Sequence, residues 1–175
     1  KRIGMMNTTV QNDRFLVNGT PIYIKGINRH EYDPKNGRAI TVERIEKELR
    51  LIKQSGLNAI RCAHYTNHPA FYEIASELGL YVMDEADLET HGCGVTGDQG
   101  YLSKDPRWLD AYLDRVKRML EANKNEPCIF MWSIGNECGS GENLVRCADY
   151  IRAFDPTTEV HQVQDDAVHP TFTRM

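Results

Sequence analysis

The sequence predicts an α/β fold built on a parallel sheet, and three observations carry that prediction. Short apolar runs of strand length alternate with segments whose apolar residues step by three and four. Proline or glycine stands where the helical segments should start or stop. Ionisable residues gather just after the apolar runs rather than before them.

The elements follow in order. RFLVNGTPIYIK, residues 14–25, reads as two short strands around Asn18-Gly19, a dipeptide that tolerates positive φ and favours a tight hairpin. The first inner strand is expected at about 23–28, YIKGIN. Thr41 is placed to cap a helix striped by Val42, Ile45, Leu49 and Ile52, and Gly56 suits its stop. LNAIRC, 57–62, is the second strand. Pro69 fits the first turn of a helix carrying Phe71, Ile74, Ala75 and Leu78, which Gly79 ends. LYVMD, 80–84, is the third strand, and a glycine-rich loop of about twenty residues follows it. Asp105-Pro106 opens a helix with Leu109, Tyr112, Leu113, Val116, Met119 and Leu120 on one side. CIFMWSI, 128–134, is the fourth strand. Leu144, Cys147, Ala148 and Ile151 stripe a fourth helix, and EVHQVQ, 158–163, is a candidate fifth strand.

A hairpin followed by regular strand–helix alternation implies parallel strands with right-handed crossovers. Two architectures satisfy it, an open doubly wound sheet and a (β/α)8 barrel. The first strand–helix junction has neither G-x-G-x-x-G nor a phosphate-binding loop, which removes support from the nucleotide-binding sheet. A barrel takes about 250 residues, and 175 residues supply only part of one. Composition narrows the function. The net charge of −4 is mild and unsegregated, so no nucleic-acid partner is expected. No apolar stretch approaches the roughly 18 residues a membrane span needs. The start, KRIGMMNTTV, lacks the apolar core of a signal peptide. The five cysteines form no C-x-x-C and are odd in number, so free thiols in a reducing cytoplasm are expected.

Four consecutive predicted strands end in polar groups: Asn28-Arg29-His30-Glu31; Arg61, His64 and His68; Asp84, Glu85, Asp87, Glu89 and His91; Asn136 and Glu137. In a barrel those ends converge on the face where active sites lie. Each residue alone has a plainer reading. A glutamate in a glycine-rich loop is usually solvated, and a lone histidine such as His30 is more often hydrogen-bonded packing. Arg61 has an alternative as ion-pair partner of Asp84 or Glu85, and Glu89-x-His91 is a spacing that loops produce by chance. His161 and His169 read as surface residues. The shared bias of four strand ends is what chance explains poorly.

The stretches KGINRHEYDPKNGRAIT, NAIRCAHYTNHPAFYEIASELGLYVMDEADLETHG, DPRWLDAYLDRVKRMLEANKNEP and IFMWSIGNECGSGEN resemble the catalytic domain of β-galactosidases of glycoside hydrolase family 2, over roughly residues 12–155. The resemblance implies the N-terminal part of a (β/α)8 barrel, about strands 1–5, in residues 23–175, with residues 1–22 as a β-hairpin leading into it. It implies a retaining hydrolase of terminal non-reducing β-D-galactosides such as lactose. Glu137 matches the general acid/base and Asn136 the residue that binds the sugar 2-hydroxyl. His30 and His64 match histidines that contact the galactosyl group, and Arg61 matches the arginine that orients the nucleophile. Glu89 and His91, with Glu137 sharing, match ligands of Mg²⁺; the full-length family enzymes also imply Na⁺. Expected partners are the galactoside, the remaining domains of a longer chain, and further copies in a homo-oligomer. β-Glucuronidase and β-mannosidase of the same family are the near alternatives, against which E-T-H-G favours galactosidase. A catalytically incomplete sugar-binding or complementing fragment is another alternative, and a metallohydrolase on Glu89, His91 and Glu137 a third.

The chemistry requires two carboxyl groups about 5–5.5 Å apart, one protonating the leaving oxygen and one attacking the anomeric carbon. The acid must hold its proton near neutral pH, which burial or a like charge achieves. After attack it turns base and activates water. The family's nucleophile comes from a later strand, so it is expected beyond Met175, and the isolated 175-residue chain is expected to be inactive. Glu142, Glu159 and Asp165-Asp166 do not fit that role. Two departures stand out. Asn125-Glu126-Pro127 replaces the usual N-H-P, and Cys138 stands where serine is frequent, which predicts an oxidation-sensitive loop.

Overall fold

A computed structural model describes residues 4–162. Two sheets form. The first is antiparallel, with β1 (Thr8–Gln11), β2 (Arg14–Val17) and β3 (Thr20–Pro21) in chain order. The predicted Asn18-Gly19 turn is present, with φ of 49° and 77°, and an unpredicted turn at Asn12-Asp13 adds a strand, with φ of 50° and 61°. Positive φ at both central residues is the geometry that matches strand twist in two-residue hairpins, and Asn and Asp tolerate it. This small sheet rests on the N-terminal end of the larger one. Phe15 meets Phe130 edge-on at 5.5 Å, and the Thr8 hydroxyl donates to the Thr157 carbonyl at 3.2 Å.

The second sheet is parallel: β4 (Gly26–Arg29), β5 (Ala59–Cys62), β6 (Tyr81–Glu85), β7 (Ile129–Ser133) and β8 (Glu159–His161). Each strand lies beside its predecessor, in the order β4-β5-β6-β7-β8. An open doubly wound sheet reverses its order at a switch point; five strands in strict sequence are the winding of a partial barrel. The first inner strand begins later than expected, at Gly26, and residue 163 of the expected fifth strand lies outside the described residues.

The helices obey their punctuation. The Thr41 hydroxyl accepts from the Arg44 amide at the start of α1 (Val42–Gln54). Pro69 opens α2 (Pro69–Leu78) and left-handed Gly79 closes it. The glycine-rich loop folds into a 3-10 turn, His91–Thr96, and a short helix α3 (Tyr101–Lys104). Asp105-Pro106 opens a 3-10 turn, Pro106–Trp108, that runs into α4 (Leu109–Asn123), and α5 (Glu142–Phe154) follows β7. Among the described residues no helix is long and apolar enough to cross a membrane.

The core lies between the parallel sheet and these helices. Ile45, Leu49, Ile60, Phe71, Tyr72, Val82, Val116, Leu120, Trp132, Leu144 and Ile151 are all buried there. Each such side chain contributes on the order of 1.5–3 kcal/mol. The five cysteines are free thiols, four of them buried. Two charged residues also enter this layer. Arg29 is buried, its guanidinium bonded to Glu48 of α1 and to Asn67, so it belongs to the scaffold rather than to the strand-end cluster. Asp84 accepts from Tyr72 of α2 and Asn123 of α4, both at 2.7 Å.

Candidate active site

Strand alternation decides which residues can meet. Successive side chains on a strand point to opposite faces, and the registers align Glu85 with Ser133 and Ser133 with His161. With Asp84 and Trp132 turned toward the helices, Glu85, Ser133 and His161 form a polar rung across three strand ends on the inner face. Glu85 is fully buried and accepts from Arg61 Nε at 2.6 Å, from Ser133 Oγ at 2.6 Å and, on its other oxygen, from His64 Nδ1 at 2.7 Å. Because the Ser133 hydrogen goes to Glu85, His161 Nδ1, 3.1 Å from Ser133 Oγ, carries the proton of that contact. The His161 pKa is lowered, chiefly by burial and then by the nearby Arg61 charge, which favours the neutral ring. His161 was expected on the surface; it is instead part of the rung.

The seven residues that the resemblance gave roles, His30, Arg61, His64, Glu89, His91, Asn136 and Glu137, lie in one connected set, whereas Arg29 and Asp84 do not join it. His30 packs edge-on against His64, ring centroids 5.3 Å apart. Arg61 Nη2 donates to Asn136 Oδ1 at 3.0 Å, and Asn136 Nδ2 donates to Glu89 Oε2 at 2.7 Å. The Asn136 amide is therefore clamped at both ends. His91 Nδ1 lies 2.6 Å from Glu137 Oε2. Glu89, His91 and Glu137 each offer one ligand atom within 4.8 Å of the others.

The backbone that carries Glu137 is built for close approach. The loops after β6 and β7 run parallel, with a bridge between Glu89 and Asn136, and the Asn136 amide donates to the Leu88 carbonyl at 2.9 Å. A Cβ on Gly135 would come within 2.7 Å of the Leu88 oxygen, so only glycine permits this contact. Glu137 itself has φ of +46°. A non-glycine residue held there is strained, and such strain collects where a side chain must be aimed. Cys138 tucks beneath, 2% exposed, its thiol donating to the Asn136 carbonyl. Burial pushes that thiol up to about 12, so the thiolate that oxidants attack is scarce. The expected oxidation sensitivity is corrected on that ground.

Glu85, Ser133 and His161 were not chosen as site residues from sequence. Parity was the signal: counting by twos from Arg61's neighbour Met83 reaches Glu85, and from Met131 reaches Ser133.

Parallel strand–helix units wound in sequence, with acid, amide and imidazole groups converging at the carboxyl ends, are the layout of a barrel domain with a candidate site on that face. The chain belongs to glycosyl hydrolase family 2: the model of that family's TIM barrel domain matches residues 8–175. A β-galactosidase of Pectobacterium atrosepticum is 44% identical over 159 residues, 91% of this chain and 15% of that protein. One of Pseudoalteromonas haloplanktis is 41% identical over 180 residues, 99% of this chain and 17% of that protein. The chain thus spans about a sixth of the length of these curated relatives. Among solved structures, an FMN-binding β-glucuronidase from Facaelibacterium prausnitzii superimposes with a TM-score of 0.79 at 26% identity, covering 93% of this chain and 25% of that one. A β-glycosidase from Bacteroides vulgatus gives 0.75 at 27% identity, covering 91% and 20%.

Proposed function

We propose that this chain is the acid/base-bearing part of the catalytic barrel of a retaining β-galactosidase that hydrolyses terminal non-reducing β-D-galactosides of the lactose type. The observation that carries it is the clamped Asn136 beside Glu137, which is held at positive φ in the loop after β7. The identity of 41–44% to proteins named β-galactosidase supports galactose as the sugar. Glu137 protonates the departing oxygen and then takes a proton from the attacking water. Asn136, its amide fixed, binds the 2-hydroxyl, and that bond strengthens as charge develops at the anomeric carbon. His30 and His64 contact the galactosyl hydroxyls. Arg61 orients the nucleophile, a glutamate outside these 175 residues on a later strand. The other carboxylates of the cluster are engaged, Glu85 by Arg61, His64 and Ser133, and Glu89 by Asn136.

Two exposed or half-exposed carboxylates and one imidazole suit a divalent ion that retains several waters, so Glu89, His91 and Glu137 would hold Mg²⁺. Bound there, the ion would supply positive charge that offsets the repulsion between the clustered carboxylates. Further domains of a longer chain and a homo-oligomer would complete the pocket, and the full-length enzyme would also use Na⁺. The test is turnover of nitrophenyl β-D-galactoside and β-D-glucuronide by the full-length protein. Galactoside turnover well above glucuronide turnover is expected; the reverse preference would give the reading to β-glucuronidase. Turnover by the 175-residue chain alone would contradict the external nucleophile.

A further inference from the structure

The proposed reaction gives no role to the most heavily bonded carboxylate of the site. Glu85 is 0% exposed, so it is closed to substrate. Its partners come from three places: Arg61 on β5, His64 just after β5, and Ser133 on β7. Two of them bear assigned roles at the sugar. Through Arg61 Nη2 the connection continues to Asn136 Oδ1, and through Ser133 it reaches His161 on β8.

We propose that Glu85 is the positioning residue of this site, aiming Arg61 and His64 directly and Asn136 through Arg61. It rests on the glycosidase reading only in taking the strand-end cluster as the place where sugar reacts. Glu85 receives the Arg61 Nε–H, which fixes the plane of the guanidinium and points Nη2 at Asn136. It receives His64 Nδ1–H, which fixes the tautomer and leaves Nε2 as the ring nitrogen free for a hydroxyl. A carboxylate is the group that suits this place, because all three partners donate and an ionised carboxylate only accepts. A glutamine would turn an N–H toward at least one donor. An aspartate would withdraw the acceptors by one methylene and could not reach all three.

The variants are E85Q and S133A in the full-length protein, with activity referred to folded enzyme and with a crystal structure of E85Q. For E85Q, kcat on nitrophenyl galactoside should fall about 10²-fold with KM changed by only a few-fold, the scale of a misplacement near 1 Å. The fall should be equal for good and poor leaving groups, because proton donation by Glu137 is not what is lost. S133A, which removes one bond of three, should lose about 10-fold. In the crystal structure Arg61 and His64 should be displaced. Wild-type kcat in E85Q, a loss accounted for wholly by a smaller folded fraction, or unmoved Arg61 and His64 would overturn the proposal. If the wild-type protein cleaves no glycoside, the proposed function falls, and the crystal structure alone then decides whether Glu85 positions its neighbours.

Discussion

Asp84 and Glu85 are consecutive carboxylates on one strand, both completely buried, and they belong to different worlds. Asp84 faces the helices, where its donors are neutral: Tyr72, Asn123 and the Glu85 amide. Glu85 faces the barrel interior, where a guanidinium, an imidazole and a hydroxyl meet it. On the helix side desolvation wins, pushing the Asp84 pKa from 3.8 up to about 6 despite those hydrogen bonds. A one-residue step along a pleated strand separates scaffold from site. Residue type and burial alone do not tell the two apart; the face does.

The comparison breaks most visibly if the inner face does not control the chemistry. E137Q should lower kcat by about 10²–10⁴-fold on galactosides with poor leaving groups. It should cost far less with dinitrophenyl galactoside, whose departure needs no proton. D84N, measured per folded molecule, should stay within about twofold of wild type. A D84N loss as large as that of E137Q would show that the helix-side carboxylate reaches into the reaction.

The next largest expected effect is that of adding Mg²⁺. The donors that would hold Mg²⁺ all lie on the loops above the inner face. Saturation at about a hundred times Kd stabilises the folded state by about 2.7 kcal/mol. Thermal melts with and without Mg²⁺ should therefore differ, and E89Q should abolish the difference. A shift that survives in E89Q would place the ion elsewhere.

How far the sequence reached follows the same division between faces. The parallel strands, four helices and their caps were legible because Thr41, Pro69 and Gly79 act locally, through φ and one hydrogen bond each. Strand-end residues on loops, such as Glu89 and Asn136, were legible because polar groups after apolar runs stand out, and their motifs resemble those of a family. Arg29 was misplaced among them. Its long side chain, by contrast, turns under the sheet to Glu48, and sequence spacing does not show that turn. Ser133 and His161 were passed over because a serine ending an apolar run and a histidine on a short strand carry no signal until registers are known. The Asn12-Asp13 turn had its residues in plain view but lacked the glycine that usually announces a hairpin.

On the helix side the expected effect is on stability. An asparagine at position 84 keeps one acceptor but turns an amide toward Tyr72 or Asn123. An unsatisfied buried donor costs about 1–3 kcal/mol, so D84N should unfold at lower urea at pH 5. The pH dependence has a definite sign. A folded pKa above the unfolded one means that protonated Asp84 favours the fold below 3.8, and that this contribution is lost as pH rises through about 6. The gap between wild type and D84N should thus narrow by about 1 kcal/mol between pH 5 and 7.5. A gap that widens would mean that the three hydrogen bonds outweigh desolvation.

The smallest effect calibrates the others because it touches neither face of β6. The Thr41 hydroxyl caps α1, the helix whose Glu48 holds Arg29. Its bond to the Arg44 amide is long at 3.3 Å. T41A should therefore fall at the low end for caps, about 0.5–1 kcal/mol, with kcat unchanged. T41S keeps the acceptor and should recover most of the loss. If T41S is as unstable as T41A, the contribution belongs to packing of the methyl group rather than to the cap.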